Sequence, residues 1–430
     1  MTIEQLYQIY LQNPSVSTDT RSLQKGDLFF ALKGDNFNGN LYAAQALQNG
    51  ASWAIIDEVQ FLTDNCILVD NVLETLQKLA THHRRQLSAK VFGLTGSNGK
   101  TTTKELIREV LATSFRTHAT KGNLNNHIGV PLTILSAPTN TECLVVEMGA
   151  NQPNDIAQLA DIAQPDYGVV TNIGFAHLEG LGGLEGVLKT KTALYRFLAA
   201  NGGTVLISTE SEKLMSVADQ YPKVLFYGKK ADFSFAELLE ATPFLVYKDQ
   251  ENNIVETQLT GKYNFDNIQT ALCVAKLFGV PLQKANQAIA NYVPTNNRSQ
   301  ILKAKNTLLL DAYNANPSSM EAAIKNFALV ESPKKIMILG DMFELGDFAA
   351  EKHLQIIQLA QSLSDTETIF CGKNFYEASI EFSPNKKTLF FEKKSDLSQW
   401  LEAQNWSEKT ILLKASRGMG LETLVPILSE

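Results

Sequence analysis

Apolar residues fall into two patterns along this chain. Short continuous runs predict buried strands, and stretches repeating every three to four positions predict helices. In residues 1–85 the helices are predicted at 3–11, 43–48 and 72–87, and the strands at 27–31 and 53–57. From 90 to 293 the strands are predicted at 91–94, 117–120, 143–148, 167–171 and 205–208. Helices are predicted between and after them at 100–112, 155–163, 184–198, 268–278 and 282–291. Shorter β-like runs at 223–226, 244–246 and 254–259 are expected to pair antiparallel. The polar segment NYVPTNN (291–297) reads as a linker. Beyond it, strands are predicted at 307–310, 336–339, 369–371, 388–391 and 411–413, with helices at 319–327, 349–363, 394–403 and 421–428. Strands alternating with helices predict mostly parallel sheets. The fold class is therefore α/β in three domains, with boundaries at 1–88, 89–293 and 294–430. The third is Rossmann-like in layout but has no G-x-G-x-x-G fingerprint, so dinucleotide binding is not implied.

Composition narrows the function. The chain has 430 residues and a formal net charge of -7. With no basic stripe, nucleic-acid binding is excluded, and a phosphate-rich ligand must be met by local positive features. The four cysteines, Cys66, Cys143, Cys273 and Cys371, lie far apart with no C-x-x-C pair, which predicts free thiols in a reducing compartment. The N-terminus lacks a signal-peptide pattern and no apolar run reaches the length of a membrane span. A cytoplasmic enzyme is expected, and because nothing demands an oligomer, a monomer.

The chemistry centres on VFGLTGSNGKTTT (91–103). A strand turns through Gly96, Ser97, Asn98 and Gly99 into a helix opened by Lys100, Thr101 and Thr102. Glycines allow a close backbone approach, and unpaired N–H groups at a helix start attract anions. Lys100 adds a positive charge, and Thr101 offers a hydroxyl to a phosphate-bound metal. The strict G-x-x-x-x-G-K-[ST] pattern is missed at Leu94, so the segment reads as a loosened phosphate loop. Ligands of such sheets sit beyond the strands' carboxyl ends. There lie Glu147, a candidate metal anchor, and the segment leading to His177. In KGNLNNHIGVPLT (121–133), Asn125 and Asn126 either read substrate amides and sugars or cap the following helix. Asp311, YNANP (313–317), Asp341 and 414–417 end strands of the third domain. The residues alone imply a Mg²⁺-nucleotide enzyme and do not say what the nucleotide energy does.

Eight ordered motifs say more: TGSNGKTTT, GNLNNHIGVPLT, EMGANQPNDI, TNIGFAHLEGLGGLEGV, NFDNIQTA, LLDAYNANPSSMEAAI, LGDMFELG and KASRGMGLE. In this order they resemble the Mur ligases, and the N-terminal STDTRSLQKGDLFFALKGDNFNGN is similar to that family's UDP-binding domain. The resemblance spans essentially the whole chain. It implies a UDP-binding domain, a central P-loop ATPase domain and a closing C-terminal domain. The implied reaction is ATP-dependent addition of D-alanyl-D-alanine to a UDP-N-acetylmuramoyl tripeptide through an acyl phosphate, in peptidoglycan precursor synthesis.

The resemblance also implies roles for residues. Lys100 and the loop amides hold the β- and γ-phosphates. Thr101 and Glu147 hold one Mg²⁺, and His177 helps to hold a second. Lys191, as a carbamate, supports that second ion. The family's A-K-G-E context is here Thr190-Lys191-Thr192-Ala193, so the following acid is lost. Asn264 and Asn267 match positions near the adenine. Asp311, Tyr313 and Asn314 match nucleotide contacts from the C-terminal domain, and Arg298 meets the phosphates. Thr20, Arg21, Asn38 and Gly39 hold the UDP part, where Asn38-Gly39-Asn40 replaces the frequent D-G-H. Asn125 and Asn126, with Lys414, Ser416 and Arg417, meet the rest of the substrate, an arginine being able to grip a carboxylate with two parallel bonds. A folylpolyglutamate synthase would lack the UDP domain, and a phosphate-loop kinase would leave the C-terminal motifs unexplained.

Overall fold

The computed structural model describes residues 1–175, 178–295, 297–380, 387–404 and 406–429. Among these residues the strands form sheets of four, nine and six strands and one short ribbon, Lys33–Gly34 with Phe37–Asn38. The four-stranded sheet is parallel, in the order Val16–Ser17, Leu28–Phe30, Trp53–Ile56, Cys66–Leu68. Its helices Ile3–Gln12 and Val72–Gln86 are capped by Thr2 and Asn71, whose side chains accept from Gln5 N and Glu74 N.

In the central sheet the strand before the phosphate loop, Lys90–Thr95, lies between Tyr167–Val170 and Cys143–Glu147, all parallel. That order brings three carboxyl ends together. The strands expected at 91–94, 143–148, 167–171 and 205–208 are present. Two expectations are corrected. Val224–Gly228 pairs parallel with Thr204–Ser208 and with Ser234–Glu240, and only Ser234–Glu240, Val246–Asp249 and Ile254–Glu256 run antiparallel. The single helix expected at 184–198 is two, Gly183–Lys191 and Ala193–Ala200. At the break the Thr192 hydroxyl bonds back to Leu188 O at 2.7 Å, and Arg196 donates to Lys189 O at 2.7 Å. Carbonyls freed at the first helix's end are thus satisfied locally.

The C-terminal sheet runs Gln300–Lys303, Thr307–Leu310, Thr410–Lys414, Lys335–Gly340, Thr366–Cys371, Thr388–Phe391. Only its first pair is antiparallel. The edge strand Gln300–Lys303 was not expected from the sequence, because its run has no clean alternation.

Apolar burial divides unevenly. One core joins the first and central domains, with Leu6, Tyr7, Tyr10, Leu76 and Leu79 packed in one cluster with Ile134, Leu144 and Leu159. Tyr10 also donates its hydroxyl to Leu135 O at 2.5 Å. The other face of the central sheet is covered by the phosphate-loop helix Lys100–Ala112 and by Tyr263–Phe278, through Leu106, Ile107, Val110, Ile268 and Leu272. Two further clusters lie on either face of the C-terminal sheet and draw only on that domain. The four cysteines are free thiols, three of them buried. Among the described residues no helix is long and apolar enough to cross a membrane.

Candidate active site

The carboxyl ends of Lys90–Thr95 and Cys143–Glu147 open into a cleft of about 880 Å³ that the C-terminal domain closes from the other side. From the central domain it is lined by Ser97 through Thr102 and by Asn125, Asn126, Glu147, Asn264 and Asn267. Arg298, Asp311, Tyr313, Asn314, Lys414 and Arg417 line it from the linker and the C-terminal domain.

The loop's shape depends on two glycines. Gly96 has φ +150°, and a Cβ there would lie 1.8 Å from Thr171 Oγ1. Gly99 has φ +78°, and a Cβ there would lie 2.5 Å from Asn267 Oδ1. Gly96→Ala is therefore expected to cost about 2–4 kcal/mol of stability, read as a lower urea midpoint, because turning the Thr171 hydroxyl away would break its 2.7 Å bond to Asn98 O and still leave Thr171 Cβ and N at 3.0 and 3.1 Å. No side chain caps the helix Lys100–Ala112. Its first-turn N–H groups are left to serve an anion.

Two expected phosphate donors are otherwise engaged. Ser97 N donates to Asn172 O at 3.0 Å, and Asn98 N donates to Asn172 Oδ1 at 2.9 Å. The Ser97 hydroxyl is bonded to Gly174 O and N at 3.1 and 2.9 Å. Ser97 and Asn98 thus brace the loop, and the cradle shifts toward Gly99–Thr102. The Lys100 ammonium bends over the loop and donates to Gly96 O at 2.8 Å and Ser97 O at 3.3 Å. Burial, with the nearby charge of Arg298, pushes it below its usual pKa, and Glu147 opposes that push.

Glu147 is 1 % exposed. Its Oε1 accepts from Asn125 Nδ2 at 2.8 Å and from the Thr101 hydroxyl at 3.3 Å. Its Oε2 is buried with no hydrogen-bond partner among the described residues. An orphaned carboxylate oxygen beside a threonine hydroxyl is a donor set that suits a hard cation such as Mg²⁺. Lys191, also fully buried, has an Nζ with no hydrogen-bond partner among the described residues. Burial, and then the charge of Lys100, drives its pKa well below the ordinary lysine range. Lys189, two residues earlier, is exposed. His177 lies outside the described residues.

Several expected ligand contacts are spent inside the protein. Asn126 Oδ1 accepts from Ile128 N and Gly129 N at 3.1 and 2.8 Å, so it caps the helix Gly129–Leu135. Asn267 Oδ1 accepts from the Thr103 hydroxyl at 2.9 Å, and its Nδ2 donates to Asn264 Oδ1 at 2.8 Å. Asn264 Nδ2 donates onward to Thr260 O and Ser299 Oγ at 2.7 and 3.2 Å. This amide chain links the phosphate-loop helix to the interdomain linker and leaves little capacity for a nucleobase. Lys414, 2 % exposed, donates to Asp311 Oδ2 at 2.5 Å and to Asn314 O at 3.2 Å. It pins the strand ends together rather than reaching a substrate carboxylate. Ser416 is buried and bonds Phe343 N and Ala315 O at 2.9 and 3.2 Å, so it does not line the cleft. Arg417 stays at the cleft wall.

The four N-terminal residues do not line this cleft. Arg21 is exposed and paired with Asp19 at 2.6 Å, and Thr20 accepts from Asn49 through its carbonyl at 3.3 Å. Asn38 caps the turn Gly39–Tyr42 and donates to Glu58 at 3.1 Å. Gly39 has no room for a Cβ, which would lie 2.5 Å from Leu32 O. Asn40 bonds Asp57 in both directions, at 2.9 and 3.0 Å, which is a structural use of the position.

Contacts that the sequence did not single out bring the C-terminal domain onto the loop. Asn316 Nδ2 donates to Asn98 Oδ1 at 2.7 Å. Phe175 N donates to Ser318 Oγ at 3.0 Å, and the Phe175 ring lies between Lys213 and Lys352 at 5.9 and 5.0 Å. Asn316 is the N-cap of Pro317–Ala328, with a reciprocal bond to Ser319. The N-x-x-S spacing was the available signal for that cap, but not for its partner across the domain junction.

Three known domain patterns match the chain, one in each part of this architecture. They are the Mur ligase family catalytic domain at residues 14–88, the Mur ligase middle domain at 94–275, and the Mur ligase glutamate ligase domain at 297–417. The chain belongs to the Mur ligase family. The UDP-N-acetylmuramoyl-tripeptide–D-alanyl-D-alanine ligase of Bacillus subtilis is 36 % identical to this Mur ligase over 428 residues, covering 96 % of this chain and 93 % of that one. The Escherichia coli enzyme of the same name is 32 % identical, over 97 % of this chain and 94 % of its own. Among solved structures, MurF from Acinetobacter baumannii superposes with a TM-score of 0.87 at 28 % identity, covering 100 % of this chain and 98 % of that one. MurF ligase from Thermotoga maritima, in complex with ADP, gives 0.85 at 27 %, covering 97 % and 98 %.

Proposed function

We propose that this Mur ligase joins D-alanyl-D-alanine to a UDP-N-acetylmuramoyl tripeptide with hydrolysis of ATP to ADP and phosphate, in cytoplasmic peptidoglycan precursor synthesis. The observation that carries the reading is the convergence in one cleft of Lys100, the half-orphaned Glu147 carboxylate, and Arg298 and Arg417 from the closing side. Full-length similarity to enzymes of that name supports the choice of substrates.

The chemistry follows from charge. A carboxylate is a poor electrophile, so one of its oxygens first attacks the γ-phosphorus and ADP departs. The dipeptide amine then attacks the acyl-phosphate carbon, loses a proton, and inorganic phosphate leaves. Negative charge builds on the transferring phosphoryl group and then on the tetrahedral oxygen. Lys100 and the first-turn amides of its helix hold the phosphates, and Arg298 and Arg417 face the developing charge. The C-terminal domain excludes water that would otherwise consume the acyl phosphate.

Thr101 and Glu147 are the residues that would hold Mg²⁺, with His177 and Lys191 at a second position. Bound there, Mg²⁺ supplies charge neutralisation at the phosphoryl oxygens. The buried, unpaired Lys191 amine is the state that can add CO₂ to become a carbamate, and burial favours Lys191 over the exposed Lys189. We place Thr20, Arg21, Asn38 and Gly39 at the UDP end of the substrate, and take 1–88, 89–293 and 294–430 as the domain limits. The reading takes every group of the cleft named above from one chain and asks for no partner subunit, so a monomer is the proposed state.

The test is phosphate release from ATP with Mg²⁺ and the UDP-tripeptide, with and without D-alanyl-D-alanine. Release that requires the dipeptide is expected. Release indifferent to the dipeptide overturns the ligase reading.

A further inference from the structure

Tyr313 stands between two arginines. The Arg298 guanidinium lies over its ring at 3.6 Å from the centroid, and Arg417 lies at 5.1 Å. Arg417 Nη1 also donates to the Tyr313 hydroxyl at 3.1 Å. The three residues come from separate places: the turn just after the linker, the loop after the strand Thr307–Leu310, and the turn after the strand Thr410–Lys414. All three line the cleft that holds the phosphate loop.

Two guanidiniums against one ring repel one another and would spread apart on flexible stems, and Arg298 also feels the charge of Lys100. A ring face carries negative potential and attracts a cation. One ring therefore offsets the repulsion and fixes both stems. The linker adds a second constraint. Asn297 and Ser299, on either side of Arg298, both have left-handed φ, +55° and +48°. Asparagine enters that region readily, but serine does so seldom, so the Ser299 conformation is held by its surroundings. Here Asn297 O accepts from Tyr313 N at 3.3 Å, and Ser299 Oγ is bonded to the Tyr263 hydroxyl at 2.8 Å. Arg298 Nε is buried with no hydrogen-bond partner among the described residues, so the ring and the linker, rather than a bond at Nε, set where the guanidinium lies.

We infer that Tyr313 is a positioning residue that holds Arg298 and Arg417 as one preorganised pair of cations for the transferring phosphoryl group, its ring setting Arg298 and its hydroxyl setting Arg417. This rests on the proposed ligase reading and deepens it. The two halves of the role are separable. Tyr313→Phe removes only the hydroxyl, and Tyr313→Leu removes both the hydroxyl and the ring.

The experiment is a pair of double-mutant cycles, Tyr313→Phe with Arg417→Ala and Tyr313→Leu with Arg298→Ala. They are read as kcat and KM for each substrate and as calorimetric ADP affinity. Tyr313→Phe is expected to lower kcat by about 3–10-fold with unchanged ADP affinity, and to have no further effect once Arg417 is alanine. Tyr313→Leu is expected to weaken ADP and lower kcat by roughly 10–30-fold, with most of that loss absent in the Arg298→Ala background. Multiplicative effects in both cycles would overturn the inference. So would a Tyr313→Phe enzyme with wild-type kcat. Should Tyr313→Leu not fold, Tyr313→Trp keeps a ring face without the hydroxyl and must behave as Tyr313→Phe does. Wild-type protein without dipeptide-dependent phosphate release would instead sink the ligase reading, and the ADP arm of the cycles would still decide whether the ring couples to Arg298.

Discussion

Lys100→Ala is expected to lower kcat by about 10³-fold or more while leaving the fold intact, because a preorganised charge at the transferred phosphoryl group is worth several kcal/mol. The side chain is half-buried, and its bonds run to carbonyls of its own loop. Truncation therefore removes no bond between distant elements, and the melting temperature should change little. Burial also lowers the ammonium's pKa, with Arg298 adding to the effect. Removing that charge should relieve crowding among the cations, so a slight rise in stability accompanies the loss of turnover. Steady-state phosphate release and a thermal melt on the same sample check both halves. An Ala variant that keeps a tenth or more of wild-type kcat would refute the phosphate-loop role.

Lys191 gives the second large effect, and it separates stability from activity. Its Nζ is fully buried without a hydrogen-bond partner among the described residues. A buried unsatisfied polar group costs about 1–3 kcal/mol. Lys191→Met fills the same space without that group, so it should raise the unfolding free energy by about that amount in carbonate-free buffer. The same variant should lose roughly 10²–10³-fold in kcat, if a carbamate carboxylate is needed beside the metal. Bicarbonate should restore activity to carbonate-stripped wild type and do nothing for the variant. A fully active Lys191→Ala enzyme, or a stripped wild type indifferent to bicarbonate, would reject the carbamate. Where related enzymes place an acid two residues after the lysine, this chain has Ala193, and Arg196 closes the helix end at Thr192 and Lys189. Support for a carbamate therefore does not come from that turn.

The sequence made the layout legible because layout depends on local pattern. Strand runs, helical repeats and the Gly96–Gly99 turn all write themselves within a dozen residues. The placement of Lys100, Thr101 and Glu147 at the cleft was legible for the same reason, each ending or opening an element whose ends the pattern defines. What was not legible is pairing across distance. Asn172 takes the Ser97 and Asn98 amides, and backbone donors leave no mark in composition. Asn264 and Asn267 look like ligand-reading amides, but their partners Thr103 and Ser299 are far away in sequence. Lys414 looked free to meet a carboxylate until Asp311, on a neighbouring parallel strand, proved to be its partner. Asn316 follows the same logic, since its cap was local and its contact with Asn98 was not.

The uneven division of the apolar cores sets how the molecule comes apart. The first and central domains share one cluster, so neither can open without exposing the other's interior, and they form one cooperative block. The C-terminal domain owns both of its clusters and can survive as a second block. Hydrogen bonds cross the divide, from Asn316 to Asn98, Phe175 N to Ser318 and between Tyr263 and Ser299, with the Phe175 ring against Lys352 beside them. The seam that completes the active site thus parts without opening any of these apolar clusters. A nucleotide bound across it acts as the missing fastener, and two blocks that melt separately become a single unit only while ligand is present.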